Sequence, residues 1–418
     1  MEEKQARKGL WTRDFTIITL GSVVSMFGNA MSGFAMSLMV LDISDSTFLY
    51  AIYIMMYTVP MLFVPIVSGA VLDRFSRKRM IYTLDFLSAG LYLCMSAVLA
   101  TGWFSFPLFA VSCLILGTVE STYMVAYESF YPLLVTEGDM QKAYSIASVL
   151  ETVSAVMVPV SAFLYRRIGL APLMAVNGIC FLAAAVMETQ IRTEEAYIDR
   201  QKETERQDHD RVRQVLEDIR EGFRYLYSEK GLLAVAVYFA FSAVCGGVQS
   251  VVTLPYFKGR FTNGEYWFML VEGAAIAGRA IGGTVHYRKS IPARYRYRIA
   301  LGVYILISLL EGTYLFCPIP AMMVMCLLVG MGGVTSYTIR ISATQSYVPD
   351  EKKGRFNGAF NMLSTAGALT GEFLAGTLTL VMSGRAVLLC AMLLCAAAAV
   401  LFIGGGREHV AVIYNRSE

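Results

Sequence analysis

Between Leu116 and Leu134 the chain reads LGTVESTYMVAYESFYPLL, an apolar stretch carrying two carboxylates, Glu120 and Glu128. On a helix turning about 100° per residue, Tyr123, Tyr127 and Tyr131 fall within about 60° of Glu120. One acid and three phenols then share a stripe. Such a surface suits an amphipathic, cationic ligand: the rings contact apolar area and cation faces, and the acid supplies charge. The same stripe could instead be core, with phenols hydrogen-bonded to a protonated glutamic acid. Glu128 turns away, about 80° off the stripe.

Other ionisable residues sit in equally apolar surroundings. Glu151 shares a helical face with Ala147, Ser148, Ser154, Ala155 and Val158, and small residues let helices pack closely. A carboxyl there could carry a proton, or stay neutral and hydrogen-bond across a helix interface. Glu272 and Arg279 are nearly in line beside Gly278, Gly282 and Gly283. A direct pair along one helix would stretch over about 10 Å of rise. Each is therefore expected to find a partner on another helix, with Glu151 one candidate for Arg279 and proton coupling the second reading. Glu372 is a further proton-site candidate. Arg340 is read as snorkelling to an interface, and Glu311 and Asp85 as structural.

These residues matter because of the elements that must carry them. The chain has 418 residues, 56% hydrophobic and 16% charged, with mean hydropathy +0.54. A soluble protein carries roughly 25% charged residues. Twelve apolar windows are long enough to cross a bilayer: 15–40, 47–70, 80–101, 106–133, 143–164, 170–190, 232–256, 266–287, 299–317, 320–343, 357–382 and 386–406. Their length and lack of alternation exclude a closed β-barrel. The expected class is an all-α polytopic membrane protein. A charge at the centre of such a helix costs about 2.5–3.5 kcal/mol on insertion scales, so each one calls for a functional account. The first window is too long for a signal-peptide core and is expected to be a retained helix.

The basic residues fix the orientation. With the N-terminus inside, the inner segments hold 28 of the 35 Lys and Arg residues, and the outer loops hold five. The positive-inside rule puts both termini in the cytoplasm, in an inner or plasma membrane. The eight cysteines lie in apolar windows without a metal-like CxxC pair. No HExxH, GxSxG or P-loop pattern appears, so a hydrolase or ATPase is disfavoured. No metal, cofactor or nucleic-acid partner is expected.

The largest polar interruption, Thr193 to Glu229, splits the windows six to six. Its second part has Val212, Val215, Leu216, Ile219, Phe223 and Leu226 at helical spacing, an amphipathic helix on the membrane surface or under the bundle. The expected organisation is a six-helix bundle over 1–192, a linker over 193–230 and a second bundle over 231–418. A shift of 213 residues lays GAVLDRFSR (Gly69 to Arg77) on GGTVHYRKS (Gly282 to Ser290), and Leu134–Leu150 on Tyr347–Leu363. One offset serving two places points to an internal duplication. Two parallel six-helix repeats are an alternating-access design.

The turn GAVLDRFSRKR, Gly69 to Arg79, has a Gly-x-x-x-Asp-Arg-x-x-Arg spacing. It resembles the loop between helices two and three of the major facilitator superfamily, with Ser76 in place of the usual second Gly. Val40–Tyr53 and Gln345–Asn361 are similar to the macrolide-efflux-like branch of the drug:proton antiporters. The helix-five antiporter motif is reduced to VPVSAF, Val158 to Phe163, which keeps Pro159 and loses the glycines.

The resemblance implies twelve transmembrane helices in two repeats. Helices one, four, seven and ten line a cavity, two, five, eight and eleven form the seam, and three, six, nine and twelve face lipid. It implies a monomer that exports amphipathic, drug-like molecules, with the proton gradient as energy source. A lipid-like or metabolite carrier and an uptake symporter stay open, and outside transport a membrane enzyme or sensor. On this reading Glu120, Tyr123, Tyr127, Glu151, Glu272, Arg279 and Glu372 serve substrate or proton. Gly69, Asp73, Arg74 and Arg77 form a gate, in which Glu128 pairs with Arg74 or Arg77 as a latch or simply ties the turn.

Overall fold

The computed structural model describes residues 10–72, 75–135, 143, 146, 150, 154, 157–193, 211–289 and 291–416. Fourteen helices occur among them: α1 Arg13–Ser44, α2 Thr47–Leu72, α3 Arg77–Ala100, α4 Phe106–Leu134, α5 Met157–Ile168, α6 Leu170–Glu188, α7 Arg211–Ser228, α8 Lys230–Arg260, α9 Gly264–Arg288, α10 Ala293–Thr313, α11 Ile319–Tyr347, α12 Asp350–Leu378, α13 Gly384–Ala398 and α14 Arg407–Tyr414. Ten of the described helices are long and apolar enough to cross a membrane. Two more, α5 and α12, stand where the fifth and eleventh windows lie. The protein is an all-α polytopic membrane protein.

The helices stop where their local chemistry changes. The Thr12 hydroxyl caps α1 by accepting from the Phe15 amide at 3.2 Å, and Asp45 ends that helix in the left-handed region at φ 45°. Ser76, which stands in the superfamily's glycine position, caps α3 by accepting from the Arg79 amide at 3.1 Å. A side-chain oxygen at this position satisfies one of the four unpaired amides that begin every helix. Gly169, at φ +77°, makes the sharp corner between α5 and α6, a conformation that favours glycine because it has no Cβ.

The described chain divides into two compact units, Met1–Asp45 with Met56–Arg213, and Ser46–Met55 with Gln214–Glu418. In the first, α6 packs on both α1 and α3, α1 also on α5, and α3 on α4. In the second, α13 packs on α8 and α10, α8 on α12, and α10 on α11. The same pairings thus occur in both units. Helices α4 and α11 begin and end 213 residues apart. Gly117 on α4 and Gly330 on α11 keep that spacing: a Cβ on Gly117 would strike the Tyr57 carbonyl, and one on Gly330 the Ala275 carbonyl. Small residues at equivalent crossings let helix backbones touch.

The amphipathic segment forms α7 and packs against the second unit. Leu226 is buried. Glu221 pairs with Arg355 at 2.5 Å, and Lys352 stands over the Tyr225 ring, 4.6 Å from its centroid. The C-terminal helix α14, absent from the sequence expectation, folds back against the same unit. Its Tyr414 is fully buried, with its hydroxyl 2.9 Å from that of Tyr304.

Candidate functional site

The interior of the first unit is polar along one line. On α1, Thr19, Ser22, Ser25, Asn29 and Ser32 recur every three or four residues, which places them on one helical face. Across from them α4 presents Glu120, Tyr123, Tyr127 and Tyr131. These two faces, with Leu150, Ser154 and Phe181, line a cavity of about 600 Å³.

The tyrosine ladder is stacked. The Tyr123 and Tyr127 rings are 5.9 Å apart at 17°, and Tyr127 and Tyr131 are 5.2 Å apart at 28°. Offset-stacked rings present their negative faces to a cation. Glu120 stands at one end of this ladder and accepts a 3.1 Å hydrogen bond from Asn29 Nδ2. Asn29 in turn accepts from the Tyr92 hydroxyl at 3.1 Å. Asn177 of α6, fully buried, donates to Ser32 Oγ at 2.6 Å and reaches Asn29 Oδ1 at 3.5 Å.

Four helices therefore fix one carboxylate. Room for this comes from α1: a Cβ on Gly28 would strike Asn177 Oδ1, whereas one on Gly33 would meet nothing. Tyr92 is braced by Phe181, stacked 5.6 Å away at 9°. The arrangement can hold an ion or a ligand's cationic group at Glu120 and an apolar body along the rings.

Glu120, Tyr123 and Tyr127 thus come together on one wall, with Tyr131 completing it. The other candidates lie elsewhere. Glu151, Asp73 and Arg74 fall outside the described residues, and Gly69 lies in α2, its surroundings likewise undescribed. Arg77 donates to the Ser129 carbonyl of α4 at 3.0 Å. The C-terminal part of α4 therefore meets the start of α3, through a backbone carbonyl beside Glu128. Glu128 itself is exposed and makes no ion pair among the described residues.

In the second unit, Glu272 and Arg279 do not form a salt bridge with each other, although the Arg279 charge acts on Glu272. Glu372 is 5% exposed and lies on α12 where it crosses α8: a Cβ on Gly247 would come within 2.9 Å of the Glu372 amide nitrogen.

For three residues the structure adds surroundings that the sequence reading lacked. Glu311 is not a lipid-facing bystander. It lies close enough to Gln249, Glu272 and Arg279 to interact with them, so α10 turns this residue toward its neighbours. Asp85 is 1% exposed and lies close to a second carboxyl, that of Glu188. Arg340 does not snorkel. Its guanidinium lies against the adjoining Phe239 and Phe360 rings, 4.8 and 4.7 Å from their centroids, with Tyr337 at 5.6 Å.

The residues missed were Asn29, Asn177 and Glu188. Single amides inside apolar windows, and the serine stripe of α1, were the available signal. Glu188 lies near the end of the 170–190 window. Among the described residues, no group of three or more His, Cys, Asp or Glu side chains could hold a metal ion.

The chain matches the family described as Major Facilitator Superfamily over residues 18–372. It is 26% identical over 298 residues to an uncharacterized MFS-type transporter, YkuC, of Bacillus subtilis (strain 168), covering 67% of this chain and 68% of that one. In solved structures it is similar to a nucleoside transporter, NupG (11% identity, TM-score 0.66, 95% of this chain and 99% of that one). It is similar also to a peptide transporter, POT, in complex with sulfate (11%, 0.68, 98% of this chain and 97% of that one). A D-xylose–proton symporter gives 13% identity and 0.67, covering 94% and 98%. At these identities the structural likeness carries the fold alone.

Proposed function

The chain belongs to the major facilitator superfamily, and on that premise we propose that this transporter exports amphipathic, cationic small molecules by alternating access, driven by proton entry. One observation carries the reading: a carboxylate held by an amide at the end of three stacked phenols, on the wall of a 600 Å³ cavity. Few other surfaces inside a membrane offer both a charge and ring faces to a lipophilic cation. Glu120 binds the cation or, when it leaves, a proton. Tyr123 and Tyr127 bind the apolar body. The proton gradient is the energy source and no bound cofactor is needed.

The protein works as a monomer in an inner or plasma membrane, both termini cytoplasmic, its two six-helix bundles rocking about the 193–230 linker. The 69–79 turn, with Gly69, Asp73, Arg74 and Arg77, gates the inner side, and its tie to Ser129 supports that placement. Glu151, Glu272 with Arg279, and Glu372 are secondary proton-site candidates.

A second reading, uptake by symport, draws on the amide and hydroxyl cluster of Asn29, Asn177, Tyr92 and Ser32. That cluster could serve a hydroxyl-rich ligand. Solved structures similar to this chain include transporters titled for nucleosides, peptides and D-xylose with protons.

Transport in proteoliposomes with an imposed pH gradient, across lipophilic cations, neutral amphiphiles, lysolipids and sugars, separates the two. The export reading expects cation movement against the direction of proton flow. Accumulation of a neutral polar solute along with protons would replace it with symport. No gradient dependence for any transported compound would remove proton coupling.

A further inference from the structure

Beside the cavity lies a pair of carboxyls that Glu120 does not account for. Asp85 of α3 is 1% exposed, and Glu188, the last residue of α6, is 0% exposed. Helices α3 and α6 pack together, and the two carboxyls lie close enough to act on each other. Asp85 Oδ2 and both oxygens of Glu188 nevertheless have no donor among the described residues.

Every packed element contributes to this pocket. Helix α1 leaves room for it at Gly21, where a Cβ would stand 3.1 Å from Glu188 Oε1. Helix α4 brings the Tyr123 phenol beside Glu188 and Ser22, its hydroxyl buried and without a hydrogen-bond partner among the described residues. The Glu120 charge, on the same helix, reaches Asp85. From α3, Lys78 is engaged with the Ile191 carbonyl at 3.2 Å and Arg77 with the Ser129 carbonyl. No cation among the described residues faces the pair.

An ionised carboxylate only accepts hydrogen bonds. Two of them pressed together in an apolar interior repel, and one proton between them removes the repulsion and supplies the missing donor. A divalent cation is a poor alternative occupant, because calcium takes about six to eight oxygens and two carboxyls with one phenol are too few. Tyr123 links the pair to the cavity, since the same ring lines that cavity's wall.

We infer that Asp85 and Glu188 form a proton-binding site, holding one proton between their carboxyls and exchanging it with the Glu120 cavity through the Tyr123 hydroxyl. In the exchange the hydroxyl passes its own proton to one side and takes one from the other, so the ring is left neutral. Two proton sites then lie in series, one facing the ligand and one behind it. The use of this site in transport rests on the proton-coupled reading above, but its existence does not.

Infrared difference spectroscopy on the full-length protein in lipid nanodiscs, without any substrate, tests it. The protonated-carboxyl band is followed as pH is raised. The expected result is that, within the component that outlasts the exposed carboxylates, one carboxyl per chain belongs to this pair. Asp85→Asn and Glu188→Gln each lose it, and Glu120→Gln keeps it. Either amide supplies the donor that the proton supplies now, so both variants are expected to fold. Should one fail, the other and Tyr123→Phe carry the test: Tyr123→Phe keeps the component and slows its hydrogen–deuterium exchange. A band identical in wild type and in the Asp85 and Glu188 variants would overturn the site. Loss of the component on adding sodium at fixed pH would overturn the proton as its occupant.

Discussion

The two units share a scaffold and differ in what they put inside it. In the first, α1, α3, α4 and α6 converge on Glu120, Asn29, Tyr92 and Asn177, with Asp85 and Glu188 behind. In the second, the same shift of 213 residues puts Gly333 at the place of Glu120 and Arg340 at that of Tyr127. The phenol ladder is replaced there by a guanidinium set against two adjoining phenylalanine rings. The second unit is also strapped by α7 and α14, whose Leu226, Val410, Ile413 and Tyr414 join its apolar core. The first unit sets its carboxylate beside a phenol ladder; the second also carries carboxyls inside its helices, Glu272, Glu311 and Glu372, and sets Arg340 against phenylalanine rings. The helix pairings are the same in both units, while the residues at equivalent positions differ.

The largest expected effect tests the chemical side of that contrast. Glu120→Gln should abolish or reroute transport with no loss of folded protein, because the amide keeps the Asn29 hydrogen bond and drops the charge. Transport rates in proteoliposomes, read beside the melting temperature, check it, and unchanged transport at every pH would remove the assignment. Next come the glycines, where the two units fail differently. Gly371→Ala drives a Cβ into the Val244 backbone carbonyl, and Gly28→Ala drives one into the Asn177 side chain. Overpacking of this kind costs about 1–3 kcal/mol, with Gly371 at the upper end since a backbone cannot swing aside. Gly33→Ala, with open space around it, should leave the melting temperature unchanged.

Tyr304→Phe or Tyr414→Phe alone should destabilise the second unit by about 1–2 kcal/mol, because the remaining buried hydroxyl loses its partner. The double variant should recover part of this in a double-mutant cycle. The smallest effect is expected at Arg340→Lys. The charge stays, but the flat stacking on Phe239 and Phe360 is lost, worth about 0.5–1 kcal/mol, with transport largely kept. A collapse of transport there would shift part of the binding chemistry into the second unit.

Much of the scaffold could be read from apolar runs. The window at 106–133 became a helix over 106–134, and the one at 320–343 a helix over 319–347, since length and hydropathy are local properties. The stripe of Glu120 with its tyrosines was legible for the same reason: it lies on one helix, and 3.6-residue periodicity orders it. Asn29, Asn177 and Glu188 escaped because each matters only through another helix, far away in sequence. Periodicity says which residues share a face and is silent about which face they meet. Glu311 and Arg340 were misread on rules of depth and lipid exposure, which do not anticipate a turn of one helix toward Gln249 or a pair of adjoining rings. The helix α14 was missed because eight residues after an apolar window carry little pattern of their own.

The central claim is that Glu120 supplies the charge that selects the ligand. Equilibrium binding of a matched pair, a lipophilic cation and its neutral isostere, to the wild type and to Glu120→Gln in nanodiscs tests it most directly. The account predicts that the wild type prefers the cation by at least about tenfold, or 1.4 kcal/mol, and that Glu120→Gln binds both alike. An equal preference for the cation in both proteins would contradict it.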